Sequence, residues 1–296
     1  KLMFFWTGSG DNGKSVTQIL FEHMLGNLAV KFSSSLITGK KAQLGVAAPE
    51  LARAGNGGRW AVMDEPNQDE LINAGAMKLL TGNDTYWARD LFEKGKDTRE
   101  IKPLFKLHMI CNNLPGIRYA DEATWNRIKV IPFESKFVNE GECPVGYEEQ
   151  MSAKLFMKDL KFSDKIPGML QPLAWYLIHR WRKCADNKPI EPAKVKVATR
   201  VYKQENDVYR QFIDEIVVEN LGSKLTLISL YTKYQEWFKT ACPGQILQSR
   251  VTVKAQFESI LGDLAKGKYW EGFVIDVDRQ DRQDRYHAVN PLLNDA

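Results

Sequence analysis

Apolar and polar positions along the first half of the chain follow two periods in turn. Short apolar runs at residues 2–6, 29–32, 60–63, 105–111 and 129–133 have the length and continuity of buried strands. Between them, apolar residues recur at helical spacing over residues 14–25, 43–54 and 68–80, and Leu44, Ala47, Ala48 and Leu51 share one face of the second stretch. Gly57-Gly58 and the turn signal Thr81-Gly82-Asn83-Asp84 close the second and third stretches. Lys94-Gly95-Lys96-Asp97 lies between two extended pieces and reads as a hairpin tip. Strands alternating with helices predict an α/β domain on a parallel sheet, spanning residues 1–135.

Beyond about Ser135 the pattern changes. Residues 151–161 and 168–183 are predicted as helices, the second with Leu170, Leu173, Leu177 and Trp181 along a stripe. Pro189 and Pro192 mark a linker, so residues 136–197 are expected to form a helical linker region. The last unit, residues 198–296, reads as helices near 198–218, 226–240 and 251–264, followed by strands at 273–277 and 286–289. The charged run Asp278-Arg279-Gln280-Asp281-Arg282-Gln283-Asp284 separates those two strands. Three helices and then a hairpin is the order of a winged helix. No internal repeat or low-complexity segment is present.

Composition changes this picture little. A chain of 296 residues suits two domains, and its 44% hydrophobic and 26% charged residues supply an ordinary core. A net charge of +4 does not by itself announce a nucleic-acid binder. Cys111, Cys143, Cys184 and Cys242 are scattered without C-x-x-C spacing, and His23, His108, His179 and His287 are equally dispersed, which argues against a zinc site. Scattered free cysteines fit a reducing compartment rather than secretion. No apolar run approaches the roughly 20 residues of a membrane span. Residues 2–6 already read as a core strand without a methionine start, so the sequence is expected to be a fragment lacking its N-terminal portion.

The sharpest chemical signal is Gly8-Ser9-Gly10-Asp11-Asn12-Gly13-Lys14-Ser15, which satisfies G-x-x-x-x-G-K-[ST] between a predicted strand and a predicted helix. Small residues let backbone N–H groups wrap phosphates, and the helix N-terminus adds partial positive charge. In that reading Lys14 reaches the β- and γ-phosphates of ATP and the Ser15 hydroxyl binds Mg²⁺. Downstream, Arg59-Trp60-Ala61-Val62-Met63-Asp64-Glu65 is an apolar strand delivering two carboxylates. Asp64 is expected in the Mg²⁺ shell and Glu65 beside the attacking water. By itself such a strand end is equally an ordinary surface turn; the phosphate loop ahead of it selects the functional reading. The strand ending in Asn112-Asn113 offers either an amide to orient water or a common turn. Arg127 is either a solvated arginine or a finger for a neighbour's phosphate.

Taken in order, these segments resemble the superfamily 3 helicases, in their poxvirus-type and phage/plasmid primase-helicase branch. The resemblance rests on Gly8 to Ser15, on Gly58-Arg59-Trp60 through Asp64-Glu65, and on Lys78-Leu79-Leu80-Thr81-Gly82-Asn83-Asp84 with Ala88-Arg89. It continues through Phe105-Lys106-Leu107 to Asn112-Asn113-Leu114-Pro115, Trp125-Asn126-Arg127 and Ile131-Pro132-Phe133. Ile166-Pro167-Gly168, Val197-Ala198-Thr199 to Tyr202, and Asp207 to Phe212 extend it over nearly the whole chain. Two positions depart: Asn126 stands where many relatives have a first arginine, and Asn83 where they have a second glycine.

The resemblance implies an AAA+-type P-loop core that forms a ring, expected to be a hexamer, with ATP and Mg²⁺ between subunits. Gly8, Gly10, Asn12, Gly13, Lys14 and Ser15 then bind nucleotide, Ser15 and Asp64 hold the metal, and Glu65 activates water. Asn112 matches the sensor asparagine and Arg127 the arginine finger, while Lys94 and Lys96 fall on the hairpin that grips DNA. The implied activity is 3′→5′ translocation on single-stranded or forked DNA with unwinding, behind an N-terminal primase domain, in the cytoplasm or a host-cell replication compartment.

The charge pattern leaves the DNA-facing parts open. Lys94 and Lys96, with Arg99 and Lys102 nearby, suit a phosphate-tracking grip, yet a lysine-rich tip is also an ordinary solvated turn. From Arg200 to Ala296 there are 13 Lys/Arg against 14 Asp/Glu. Arg250, Lys254, Arg279, Arg282 and Arg285 form a local patch at most, interleaved with Asp281 and Asp284. The unit is read either as DNA-binding or as packing against a subunit or partner. Tyr231, Tyr234 and Trp237 recur at helical spacing and are expected in its core. Two other functions use the same residues: a same-fold ATPase acting on RNA or as a loader, and a nucleotide-gated assembly protein that does not unwind.

Overall fold

The computed structural model describes residues 1–38, 47–67, 70–117, 120–184, 190–242 and 247–276. The chain divides into two compact units, residues 1–206 and 207–296. In chain order the first unit contains β1 (Met3–Thr7), α1 (Lys14–Leu25), β2 (Ala29–Phe32), α2 (Ser35–Thr38), α3 (Pro49–Ala54), β3 (Trp60–Met63) and α4 (Ala74–Thr81). There follow β4 (Tyr86–Ala88), β5 (Arg99–Ile101), β6 (Lys106–Ile110), α5 (Glu122–Trp125), β7 (Ile128–Pro132), β8 (Lys136–Val138), α6 (Tyr147–Ala153), β9 (Leu155–Met157), α7 (Phe162–Cys184) and α8 (Ala193–Glu205).

Five strands form a parallel sheet in the order β2-β3-β6-β1-β7. The continuous apolar runs arise because both faces are covered. On one face Met3, Phe5, Ala61, Met63, Leu107, Met109, Ile128 and Val130 join residues from α2 to α5 and Tyr202 of α8 in the main core. On the other, Trp6, Trp60 and Val62 pack with Phe4, Ile110 and Ile131 against Phe21 and Leu25 of α1. The parallel α/β sheet expected from the sequence is therefore present.

Several boundaries differ from expectation. Of the helix expected over 43–54, residues 39–46 lie outside the described residues, and the helix begins at Pro49, whose fixed φ suits a first turn. The helix expected over 151–161 stops after Ala153, because Lys154 takes a left-handed φ of 54° and the chain continues as β9 beside β8. Helix α7 starts earlier than expected and runs through Pro167 and Pro172. Leu170, Leu173 and Leu177 are half-buried, while Trp181 is exposed. Pro189 lies outside the described residues.

The second unit begins nine residues later than the expected 198, since α8 belongs to the first unit. Tyr202 is buried there and its hydroxyl donates to Pro115 O, and the Thr199 hydroxyl accepts from Val130 N at 3.0 Å. The helix expected over 198–218 is interrupted by Asn206-Asp207: Asp207 caps α9 (Val208–Ile216), accepting from the amides of Tyr209 and Arg210. A strand not expected there, β10 (Val217–Thr226), follows at once. It leads to α10 (Leu227–Ala241), α11 (Arg250–Leu261) and β11 (Tyr269–Ile275), which pairs antiparallel with β10. Phe212, Tyr234, Trp237, Phe257 and Trp270 fill the core of this unit, so Tyr234 and Trp237 are core residues, while Tyr231 is partly buried against it. The expected charged loop 278–284, with Arg279 and Arg282, the strand 286–289 and Arg285 lie outside the described residues.

Candidate functional site

The order of the sheet puts β6 between β1 and β3, so three strand ends converge on one edge. The register pairs Phe5 with Met109 and Met109 with Met63, which brings Thr7, Cys111 and Glu65 to the same level at the carboxyl ends of their strands. In open parallel sheets the crevice at this edge is where ligands bind.

Residues 8–13 leave β1 and enter α1 through backbone conformations that favour glycine. Gly8 has φ 144° and Gly13 φ 85°, with Asp11 between them at φ 56°. A Cβ at Gly8 would lie 2.5 Å from Phe133 O and 2.6 Å from Asn12 Nδ2, so no larger residue fits. Asn12 is buried and pins the loop: its Nδ2 donates to Phe133 O at 3.4 Å, and its Oδ1 accepts from Lys14 N at 3.3 Å. Phe137 adds a second latch, its N–H donating to Asp11 O at 2.7 Å. Helix α1 has no side-chain cap and no acidic residue in its first turn, so its N-terminal partial charge is not neutralised locally.

Lys14 is only 5% exposed. Its ammonium donates to Gly8 O and, at 3.2 Å, to Asn112 Oδ1. Burial pushes its pKa below the ordinary lysine value, and the neighbouring Cys111 and Glu65 oppose that shift. The Cys111 thiol is pushed up to about 12, first by burial and then by the charge of Glu65. Glu65 is fixed by the adjacent strand end, where its Oε1 accepts from Asn112 N at 2.8 Å and Asn113 N at 3.1 Å. Thr7 Oγ1 donates to Asn112 O at 3.1 Å. Lys14, Glu65 and Asn112, widely separated in sequence, thus form one connected cluster.

Ser15 and Asp64 stand exposed at this same edge, at the start of α1 and the end of β3. Among the described residues neither side chain has a hydrogen bond or ion pair, and no group of three or more His, Cys, Asp or Glu could hold a metal by itself. Gly10 meets nothing within 4 Å of a would-be Cβ and so faces open space.

The remaining expected residues lie elsewhere. Arg127 precedes β7, and its carbonyl accepts from Met3 N at 2.7 Å, which places it at the opposite edge of the sheet. The five residues of β7 set it roughly 16 Å from the edge that carries the glycine loop of residues 8–13. Its guanidinium donates to Ala123 O, and its buried Nε has no partner among the described residues. Lys94 and Lys96 are exposed in the connection between β4 and β5, which pair antiparallel and lead into the start of β6. The sequence reading overlooked Asn12 as a structural pin, Thr7, Phe137 and the exposed apolar residues of that connection. Of these only Asn12, by its place within the glycine motif, carried a signal in the sequence.

No protein-family model matches the chain. It is 46% identical over 285 residues to "Putative helicase 022R" of Frog virus 3 (isolate Goorha), covering 95% of this chain and 29% of that protein. Over 248 residues it is 23% identical to "Putative primase C962R" of African swine fever virus (isolate Tick/Malawi/Lil 20-1/1983), covering 81% of this chain and 25% of that protein. Among solved structures, the apo NrS-1 C-terminal region (305–718) shares 11% identity at a TM-score of 0.37, covering 93% of this chain and 67% of that one, too distant to bear on the fold. The chain spans less than a third of these two viral proteins. Over most of its length it is similar to one segment of proteins that large DNA viruses carry under helicase and primase names.

Proposed function

We propose that this chain is the ATP-driven motor of a replicative DNA helicase of superfamily 3, part of a primase-helicase. The observation that carries the reading is the cluster of Lys14, Glu65 and Asn112 at the crevice edge of the parallel sheet. The helicase and primase names of the viral relatives support it.

The residues present fit a magnesium nucleotide. Gly8 and Gly13 shape a loop with no room for a side chain at the first, and α1 presents an uncapped N-terminus behind it. Gly8, Gly10, Asn12, Gly13 and Lys14 would hold the phosphates of ATP. Ser15 and Asp64, neither of them engaged among the described residues, would hold Mg²⁺, which typically takes one or two protein ligands alongside phosphate oxygens. Bound there, the magnesium nucleotide supplies the electrophilic phosphorus and neutralises charge on its oxygens.

The chain's own groups would then act as follows. Lys14 moves from the Gly8 carbonyl to phosphate and regains an anionic partner for its buried charge. Glu65 uses Oε1 to grip the Asn112 and Asn113 amides, leaving Oε2 to accept a proton from water. Asn112 senses the phosphate through its amide. Arg127, at the far edge, serves a neighbouring subunit's site in a hexameric ring rather than its own. Lys94 and Lys96 track a DNA strand, with β6 joining their hairpin to Asn112. Translocation runs 3′→5′ and a primase domain precedes the motor. The second unit would be winged-helix-like, a reading supported by the order helix, strand, helix, helix, strand and by the pairing of β10 with β11. Lys254 pairs with Glu258 at 3.5 Å and Arg250 lies over Tyr231, so both cations of α11 are engaged within the unit, which leaves its role open between DNA binding and packing against a subunit or partner.

The test is ATP hydrolysis by the chain with single-stranded DNA, duplex DNA or RNA added. Stimulation by single-stranded DNA is expected. Stimulation by RNA alone would assign a same-fold RNA ATPase instead, and nucleotide-dependent assembly without turnover would assign a nucleotide-gated assembly protein.

A further inference from the structure

The connection between β4 and β5 is organised around its own acids. Glu93 Oε2 accepts from Asp90 N at 2.7 Å, its Oε1 pairs with Arg99 at 3.3 Å, and its carbonyl accepts from Arg89 at 2.9 Å. Asp90 Oδ1 accepts from Leu91 N at 2.8 Å, and Asp97 Oδ2 from Lys94 N at 3.1 Å. Asp90, Glu93 and Asp97 are thus engaged within the loop, while neither the Lys94 nor the Lys96 ammonium forms an ion pair among the described residues. The same framework holds Phe92 fully exposed, flanked by Leu91 and Trp87, each more than half exposed.

Phe92 also has φ 66°, a left-handed backbone that a bulky side chain adopts only at a cost. Neither the strain nor the exposure is explained by packing, for the ring touches no core. A fully exposed aromatic ring in the same loop as two ammonium groups that form no ion pair among the described residues has the chemistry of a single-strand reader: cations follow the phosphates while the ring stacks on a base. Duplex bases are already stacked and paired, so the pairing selects an unpaired strand.

We propose that Phe92 is a base-stacking residue that engages one unpaired base of single-stranded DNA, with Lys94 and Lys96 on the flanking phosphates. This rests on the nucleic-acid reading of the hairpin given above and deepens it, assigning strand selection to a ring rather than to charge.

The experiment measures binding of the full chain, by fluorescence anisotropy, to a labelled oligothymidylate and to an abasic oligonucleotide of the same length. Phe92→Gly suits the left-handed backbone and removes the ring, so its melting temperature should not fall below that of the parent chain. It is expected to weaken binding of the base-containing strand roughly 5- to 100-fold and of the abasic strand less than about 2-fold. Phe92→Trp should retain the preference. Lys96→Ala should weaken both strands by similar factors and lower the salt dependence by about one ion. Equal losses on both strands, or no loss, in Phe92→Gly overturns the proposal. So does a Phe92→Gly chain that changes oligomeric state without DNA, which would make the ring a contact with a second copy. If the parent chain binds neither strand, the nucleic-acid reading of the hairpin fails first and the stacking role falls with it.

Discussion

His108 lies in β6 among three aromatic rings, stacked on Phe4 at 4.9 Å and flanked by Trp60 at 5.3 Å and Trp6 at 5.6 Å. Its Nδ1 has no partner among the described residues, and burial lowers its pKa from 6.5 to about 3. The folded value lies below the unfolded one, so the unfolded chain takes up this proton first as pH falls. Stability is therefore lost progressively between 6.5 and about 3 and is unaffected by this group above that window. The loss approaches roughly 5 kcal/mol below the folded value, at about 1.4 kcal/mol per unit. His108→Phe should flatten that part of the profile, followed by urea unfolding and tryptophan fluorescence; an unchanged profile would show that other groups dominate. At this scale the loop of residues 8–13 is legible in the sequence because the spacing of Gly8, Gly13, Lys14 and Ser15 matches a pattern that phosphate binding would demand. Phe92 escaped notice because alternation of apolar and polar residues treats it as one more position of a strand.

Elements were legible where their apolar period was uninterrupted. The five sheet strands lie within about two residues of expectation because they are buried on both faces. Strand β10 was not legible: Val217 and Val218 follow α9 without a break, and its pairing with β11 is a contact between distant residues. Helix α8 was assigned to the second unit for the same reason, since nothing local shows that Tyr202 enters the first core. Tyr202→Phe removes the hydroxyl that donates to Pro115 O and should cost about 1–3 kcal/mol through the unsatisfied carbonyl. A chain ending at residue 206 should keep a cooperative melt of the first unit, while one ending at 197 should lose it. Equal melting of the two truncations, read by circular dichroism, would contradict the placement of α8.

At the scale of the molecule, the glycine loop of residues 8–13 and Arg127 occupy opposite edges of one sheet, joined by β1 and β7. One chain alone does not bring them together; in the ring proposed above, one subunit's far edge would face the next subunit's crevice. Mixing Arg127→Ala chains with Lys14→Ala chains should restore part of the hydrolysis that each has lost, because some interfaces then combine an intact loop with an intact arginine. No recovery at any ratio would remove Arg127 from the site. The most direct measurement of the central claim is magnesium-dependent ATP binding and turnover in the parent, Lys14→Ala and Glu65→Gln chains. The expected result is binding and hydrolysis by the parent, neither in Lys14→Ala, and binding without hydrolysis in Glu65→Gln. Hydrolysis at the parent rate in either variant would contradict a motor built on this cluster.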